Sequence, residues 1–270
     1  MKNKLSRFAV PYEVWMAIFV VAPIVIIVVY AFSSADGGFS LENFVNMGEY
    51  TDVFLRSFKL ALIATAVCLL IGYPVSYWMS REGKSFQRTA MVLIMLPMWM
   101  NFLLRTYAWM TLLGNNGIIN YLLGLVGLGP FKLINTSAAV VLGMVYNYLP
   151  FMILPLYSVM EKIDKSLFEA ASDLGCSSAQ TLIRVVIPLS VPGITSGITM
   201  VFVPAISTFI ISRMLGGGSN LLIGDLIEMQ FLGNAYNPHL GAAISLVLMV
   251  IILVIMTVMN QFDPDDQVLM

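Results

Sequence analysis

Long stretches without a charged residue dominate this 270-residue chain and decide what it can fold into. A transmembrane helix needs about 20 mostly apolar residues to cross the hydrocarbon core of a bilayer. The uncharged stretches, one of them interrupted by Arg105, are 14–35, 60–80, 89–131, 133–160, 185–212 and 240–262. Because each is long enough to cross, the sequence predicts an all-α, polytopic membrane protein with six transmembrane helices in a single domain over residues 1–270.

The third stretch is too long for one crossing, and we expect its span to end near Leu113. The remainder, 118–128, lies between Gly114-Asn115-Asn116-Gly117 and Gly129-Pro130. Turn-forming residues at both ends isolate a segment that is too short to span. It is predicted to be an interfacial helix or a re-entrant turn.

The overall composition excludes several other classes of protein. Hydrophobic residues make up 59% and charged residues 11%, whereas soluble domains carry about 25% charged residues. A net charge of −1 argues against a nucleic-acid-binding protein. Cys68 and Cys176 are too few for a disulfide scaffold, and with His239 as the single histidine no metal site is expected.

Positive charges between the spans indicate the orientation of the chain. With the amino terminus inside, nine of the 14 lysine and arginine residues lie on the cytoplasmic side: Lys2, Lys4, Arg7, Arg81, Lys84, Arg88, Lys162, Lys165 and Arg184. The acidic residues Asp36, Glu42, Glu49 and Asp52 cluster in the first outer loop. By the positive-inside rule both termini are predicted to be cytoplasmic.

The polar loop 161–187 is predicted to form a helix–turn–helix on the cytoplasmic side. Ser166 and Glu169 have the spacing of a capping box, and Gly175 stands where a left-handed residue would close the first helix. Ser177 and Gln180 repeat the capping pattern, and Pro188 is expected to end the second helix. Ala170, Ala171, Leu174 and Ala179 would form an apolar face.

Two interpretations of this loop follow from the pattern. In one, it is an amphipathic surface helix in which Glu169 only caps its own backbone. In the other, the small side chains allow another protein to approach closely, so the loop is a docking surface.

The loop residues resemble the signature of bacterial ABC importer permeases. The matching residues are Glu169-Ala170-Ala171, Gly175, Val185 and Ile187-Pro188, with Val185 and Ile187 where the family usually has isoleucine and leucine. The resemblance implies the importer-type permease fold. It also implies that 161–187 docks on a cytoplasmic ATPase and that Glu169 meets a basic group there.

Further segments resemble the B-type membrane subunit of spermidine/putrescine importers, from about Pro11 to the last span. They are 96–99, 104–109, 116–120, 202–205, 215–217 and 220–224. The resemblance implies a multi-pass subunit of the bacterial inner membrane that moves polyamines by alternating access and is not itself an enzyme. The implied partners are a homologous second permease, an ATPase dimer that holds ATP and Mg, and an extracytoplasmic substrate-binding protein, with no cofactor on this chain.

Candidate residues for the substrate path come from charges and aromatic rings in apolar segments. Arg105 lies mid-span, where a charge is costly and usually faces the bundle interior. It would either line the path or pair structurally with Asp225 or Glu228, which have helical i, i+3 spacing on the outer side. These two acids suit a polycation but could equally form a solvated or interfacial acidic face. The candidate cation–π partners are Trp99, Tyr107, Trp109 and Tyr146.

Other functions are alternatives to the polyamine importer at this point. An importer permease for an anion or another small solute would use Arg105 and Arg213 to attract substrate, leaving Asp225 and Glu228 structural. An ion-coupled secondary transporter would leave the signature loop unexplained. A membrane enzyme lacks its usual motifs, and Gly83-Lys84-Ser85 matches only the end of a phosphate-binding loop.

Overall fold

The computed structural model describes residues 10–34, 37–218, 220–233 and 235–261, and the described regular structure is helical apart from one isolated bridge between Ser33 and Phe39. The first seven helices are α1 (Val10–Ala31), α2 (Glu42–Asn46), α3 (Thr51–Arg81), α4 (Lys84–Trp99), α5 (Phe102–Leu113), α6 (Ile118–Leu125) and α7 (Ser137–Met160). The remaining six are α8 (Lys165–Asp173), α9 (Ser178–Leu189), α10 (Val191–Ser207), α11 (Ile210–Gly216), α12 (Ile223–Leu232) and α13 (Pro238–Asn260).

Helices long and apolar enough to cross a membrane agree with the predicted spans. Among the described residues, four meet this test within single helices or helical runs, in α1, α2–α3, α7 and α13. The bent pairs formed by α4 with α5–α6 and by α9 with α10 bring the number to six if each is one crossing. The polytopic, all-helical prediction is therefore confirmed, with four to six candidate spans in the described residues.

The third predicted span is not one straight helix. The chain bends by 88° between α4 and the helical segment that begins at Phe102. Pro97 lies near the end of α4 and cannot donate a backbone hydrogen bond, and the Asn101 side chain starts α5 by accepting bonds from Leu103 N at 2.8 Å and Leu104 N at 3.4 Å. The second half does end at Leu113, and the predicted short helix follows as α6.

The fifth predicted span, 185–212, is also divided. Helix α9 and helix α10 meet at Ser190 with a bend of 68°, and a separate helix, α11, begins at Ile210. Pro192 in the first turn of α10 has no N–H for the carbonyl of the preceding turn, which ends the helix before it. A crossing in this region is therefore counted only for the bent pair of α9 and α10 together.

Two groups of segments each pack around a core of their own. In the group formed by residues 10–52 and 226–253, Ala31, Ala242 and Ala243 are fully or almost fully buried. The buried Asn43 side chain donates to the carbonyl oxygens of Ala31 and Ser33 at 3.1 and 3.0 Å, which fixes the chain that follows α1. The other group, 53–225 and 254–261, contains the signature loop and Arg105.

Helix α10 packs closely against α7 in this second group through two glycines. A Cβ atom at Gly193 would lie 3.0 Å from the Pro155 carbonyl oxygen and 3.2 Å from Leu156 Cα, and one at Gly197 would lie 2.7 Å from Met152 Sδ. Small residues let two membrane helices approach to backbone contact. The GxxxG spacing in α10 is therefore a packing motif.

Replacing Gly193 with valine is expected to lower the thermal unfolding temperature of the purified protein. The obstacle is backbone, which cannot rotate away, so overpacking should cost about 1–3 kcal/mol. Gly124→Val is the matched control because Gly124 lies in α6 with no atom within 4 Å of an added Cβ. Equal unfolding temperatures for the two variants in detergent would contradict the close packing of α10 on α7.

Candidate functional site

The cytoplasmic loop forms the predicted pair of helices, α8 and α9, but with a different first cap. Asp164 precedes α8, and its side chain accepts a hydrogen bond from the Ser166 backbone N–H at 2.9 Å. The capping box assigned to Ser166 and Glu169 is therefore wrong, because Asp164 already stands at the point where the chain turns into the helix. The same backbone hydrogen bond lowers the pKa of the Asp164 carboxyl. Glu169 is left exposed, with its carboxylate not needed for capping.

The turn between α8 and α9 confirms the predicted role of Gly175. Its φ of +78° lies in the left-handed region. The Cys176 N–H bonds to the Ala171 carbonyl at 3.0 Å and the Gly175 N–H to the Ser172 carbonyl at 2.9 Å, which is a Schellman ending. The second capping box is also confirmed, since Ser177 and Gln180 exchange side-chain and backbone bonds. Hydrogen-bonded caps therefore close both ends of α8 and the start of α9.

The apolar face predicted for this loop is divided in the structure. Ala171 is buried, whereas Ala170, Ala179 and Leu174 are exposed, Leu174 to 84%. The prediction of one common face was wrong for Ala171, because successive residues of a helix point about 100° apart and Ala171 therefore faces the protein while Ala170 faces outward. The exposed set, with Glu169 beside Ala170, gives a small-residue surface that another protein can approach.

Pro188 lies within α9 and does not end it. A π-helical turn, Leu182–Val186, directly precedes the proline. The wider turn accommodates the proline ring, and the helix continues to Leu189 before it breaks at Ser190. The expected end of the helix is therefore displaced by one residue.

Arg105 is buried in the second group of segments, with 8% of its surface exposed. Its Cζ atom lies 5.9 Å from the ring centroids of both Phe102 and Tyr146. Its Nε and Nη1 atoms have no hydrogen-bond partner. In the described part of this group no ion pair joins it to Asp225, and the two rings are the interactions found for its guanidinium there.

Asp225 is buried to 2% exposure near the start of α12. Its Oδ2 accepts a hydrogen bond from the Leu222 backbone N–H at 2.9 Å, and the Ser57 hydroxyl accepts one from Ile223 N at 2.8 Å. Its Oδ1 has no partner, because the nearby Ser212 hydroxyl donates to the Phe209 carbonyl oxygen instead. The carboxylate thus holds the helix start with one oxygen, while its other oxygen has no hydrogen bond and the carboxylate lies within electrostatic reach of Arg213.

The predicted acidic face of α12 is not found as such. Both acids lie on this helix, but Asp225 is buried while Glu228 is half-buried. A solvated acidic face is therefore excluded for Asp225. Sequence reasoning also missed Ser57, whose hydroxyl supports the same helix start from α3, since a lone serine in an apolar span carries no signal for this contact.

The candidate aromatic residues divide into two sets. Trp109 and Tyr146 pack edge to face with ring centroids 5.5 Å apart, next to Arg105. Trp99 and Tyr107 are exposed to 73% and 52%. The structure therefore brings Arg105, Trp109 and Tyr146 together, and leaves Trp99 and Tyr107 on outer surfaces of the chain.

Comparisons with known proteins give a consistent relationship over most of the chain. The profile of the family described as binding-protein-dependent transport system inner membrane component matches residues 72–265. The spermidine/putrescine transport system permease protein PotB of Escherichia coli (strain K12) is 39% identical over 247 residues, covering 88% of this chain and 90% of that protein. The PotB protein of Haemophilus influenzae is 38% identical over 260 residues, covering 92% and 91%.

Solved structures extend the similarity to the fold. A chain of a bacterial ABC transporter for the acidic polysaccharide alginate has a TM-score of 0.78, with 19% identity and coverage of 97% of this chain and 95% of that one. A second structure of an alginate transporter, in complex with a periplasmic protein bound to an alginate pentasaccharide, gives a TM-score of 0.77. These neighbours match the helical architecture described above.

Proposed function

This chain belongs to the family of binding-protein-dependent transport system inner membrane components, and we propose that it forms half of the translocation pathway of an ATP-driven polyamine importer. The observation that carries the proposal is the 38–39% identity over about nine-tenths of the chain to PotB permease proteins for spermidine and putrescine. The permease is a multi-pass inner-membrane subunit and not an enzyme. Both termini lie on the cytoplasmic side by the charge distribution.

The proposed complex contains components that this chain does not supply. ATP and Mg bind to a cytoplasmic ATPase dimer, a homologous second permease completes the pathway, and an extracytoplasmic protein delivers substrate. The exposed surface of α8 and α9, with its hydrogen-bonded caps, supports an ATPase contact. A periplasmic protein accompanies the related alginate transporter, which supports the delivery step.

Transport proceeds by alternating access in this proposal. ATP closes the ATPase dimer, which displaces the docked loop and reorients the spans toward the binding protein. The bias comes from the different affinity of ATP for the two states, since a ligand shifts an equilibrium only by its differential affinity. Glu169 is assigned the contact with a basic group of the ATPase, because it is exposed and free of a capping role.

The substrate path is proposed to use Asp225 and the ring pair of Trp109 and Tyr146. A polyamine that leaves water needs negative charge or aromatic faces to replace its hydration. Asp225 offers a buried oxygen without a partner, and the two rings are only partly buried. Glu228, Trp99 and Tyr107 are further candidates that the assembled complex would have to bring to the path.

A second candidate function is import of a different solute, including an anion. The observation that favours it is Arg105, a buried cation with two N–H groups that lack partners. An anionic substrate would satisfy these groups, whereas a polyamine would be repelled. The two functions make opposite predictions for the charge of the solute.

ATP hydrolysis by the complete complex in liposomes tests the proposal. We expect hydrolysis to rise when the binding protein carries spermidine or putrescine and to stay basal when it is empty or offered sulfate. Stimulation only by an anion or another solute would replace the polyamine with that solute. Absence of a co-purifying ATPase would contradict the importer itself and favour a secondary transporter.

A further inference from the structure

The cytoplasmic end of α3 contacts the docking helix α8 through two residues outside the family signature. Arg81 is the last residue of α3, and Phe168 immediately precedes Glu169 on α8. The Arg81 Cζ atom lies 3.6 Å from the centroid of the Phe168 ring, with the guanidinium over its face. This is cation–π geometry, well within the 6 Å at which such contacts are attractive.

Two residues of this part of α8 have side chains that are not exposed, and they differ in size. Glu169 and Ala170 are exposed, whereas Phe168 is half-buried and Ala171 is buried. A displacement of α8 by an outside partner is transmitted to the rest of the protein through the side chains that pack against it. Ala171 has only a methyl group. The Phe168 ring therefore offers the larger contact surface between this helix and the rest of the protein.

The end of α3 is in turn fixed to α4 and α7. The buried Gln87 side chain donates to the carbonyl oxygens of Ser80 and Glu82 at 3.3 and 2.9 Å. It accepts a hydrogen bond from the Tyr157 hydroxyl at 3.0 Å, and Lys84 forms an ion pair with Glu161 at the end of α7. This ion pair, first of all the hydrogen bond from Lys84, lowers the pKa of Glu161. A displacement of Arg81 therefore acts on a junction of three membrane helices.

We propose that Arg81 and Phe168 form a clasp that transmits the displacement of α8 to the end of α3. Both are positioning residues for transport, and the inference rests on the proposed function. The chemistry suits a moving contact, because a guanidinium stacked on a ring keeps its N–H donors free in its own plane. The ring can slide beneath it without breaking a hydrogen bond.

The test measures uptake per ATP hydrolysed by the complete complex in liposomes, with spermidine and its binding protein. Arg81→Gln and Phe168→Leu are each expected to lower this ratio about fivefold, as loss of one cation–π contact implies. The double variant should be no worse than either single variant, because the two residues act as one contact. Phe168→Tyr should retain the wild-type ratio, and Arg81→Lys should be intermediate.

Arg88→Gln is the matched control, since it removes one exposed positive charge from α4 and leaves both the Arg81 contact and the Lys84–Glu161 ion pair in place. It is expected to leave uptake per ATP unchanged. Additive losses in the double variant, unchanged ratios in both single variants, or an equal loss in Arg88→Gln would overturn the clasp. If Arg81→Gln and Phe168→Leu fail to assemble, the test uses only Arg81→Lys and Phe168→Tyr. Equal uptake per ATP in these two variants contradicts the proposal.

The wild-type complex, measured in parallel, separates this inference from the function on which it rests. Wild-type liposomes without ATP-driven polyamine uptake would overturn the proposed function. Wild-type liposomes that couple normally, beside variants that couple equally well, would overturn only the clasp.

Discussion

Replacing Glu169 with alanine is expected to reduce ATP-driven polyamine uptake at least tenfold while the complex still assembles in the membrane. The Asp164 side chain, not Glu169, caps α8, so the substitution leaves the start of the helix intact. Truncating one partner of a charge pair across a protein interface costs about 2–5 kcal/mol, which corresponds to more than tenfold. Uptake and ATP hydrolysis by the reconstituted variant measure the effect.

Gly175 provides the matched pair of variants for the same loop. An added Cβ would meet nothing within 4 Å, so only the left-handed backbone restricts this position. Gly175→Asn should keep uptake, because asparagine tolerates this conformation, whereas Gly175→Val should lose it by distorting the turn. Normal uptake at normal expression in both Glu169→Ala and Gly175→Val would remove the docking role from this loop.

Replacing Asp225 with asparagine is expected to lower polyamine uptake about tenfold or more. The amide oxygen can still accept the Leu222 hydrogen bond, so the start of α12 is kept while the buried negative charge is removed. A polyamine that has lost its hydration then lacks the Asp225 carboxylate as a partner, and the neutral amide does not replace that charge. The rate of spermidine uptake at saturating concentration of loaded binding protein measures the effect.

Two variants of the same helix separate charge from structure. Glu228→Gln removes the other acid of α12, and a smaller loss is expected because Glu228 is only half-buried. Asp225→Ala removes the cap as well, so it should lower the amount of folded protein. Unchanged uptake kinetics in the double variant Asp225→Asn with Glu228→Gln would take both acids off the path.

Some elements of the fold were predictable because one local rule decides them. The approximate positions of the spans follow from uncharged length, the turn at Gly175 follows from a glycine at the end of a helical sequence, and the second capping box follows from Ser177 and Gln180. The first cap was not predictable from spacing. Asp164 and Ser166 are both good capping residues. Which of them caps the helix depends on where α8 begins after α7, and it begins at Lys165.

Other features depend on contacts between distant parts of the chain. The bend before Phe102 combines a proline with an asparagine cap, either of which also occurs in straight spans. The contact of Arg81 with Phe168 joins residues far apart in sequence, and neither residue belongs to a motif. The burial of Asp225 likewise depends on the packing of its helix, which a sequence pattern of two acids does not contain.

The proposed docking surface and the polar interior place different demands on the same subunit. The surface of α8 and α9 is exposed and closed by well-formed caps, which suits a contact that must be remade in every cycle. Arg105 and Asp225 are buried with unsatisfied atoms, which is costly in a static protein. Groups of this kind are expected where a solute or a second subunit completes the site.

Uptake of labelled spermidine into liposomes that contain the complete complex tests the central claim most directly. ATP is enclosed inside liposomes whose complexes have the ATPase facing the lumen. Loaded binding protein is added outside, and ionophores remove any ion gradient. We predict uptake that requires ATP, persists with ionophores and is reduced by competing putrescine. Uptake without ATP that collapses with the ionophores, or ATP-driven uptake of anions alone, would contradict the assignment of this chain to a polyamine importer.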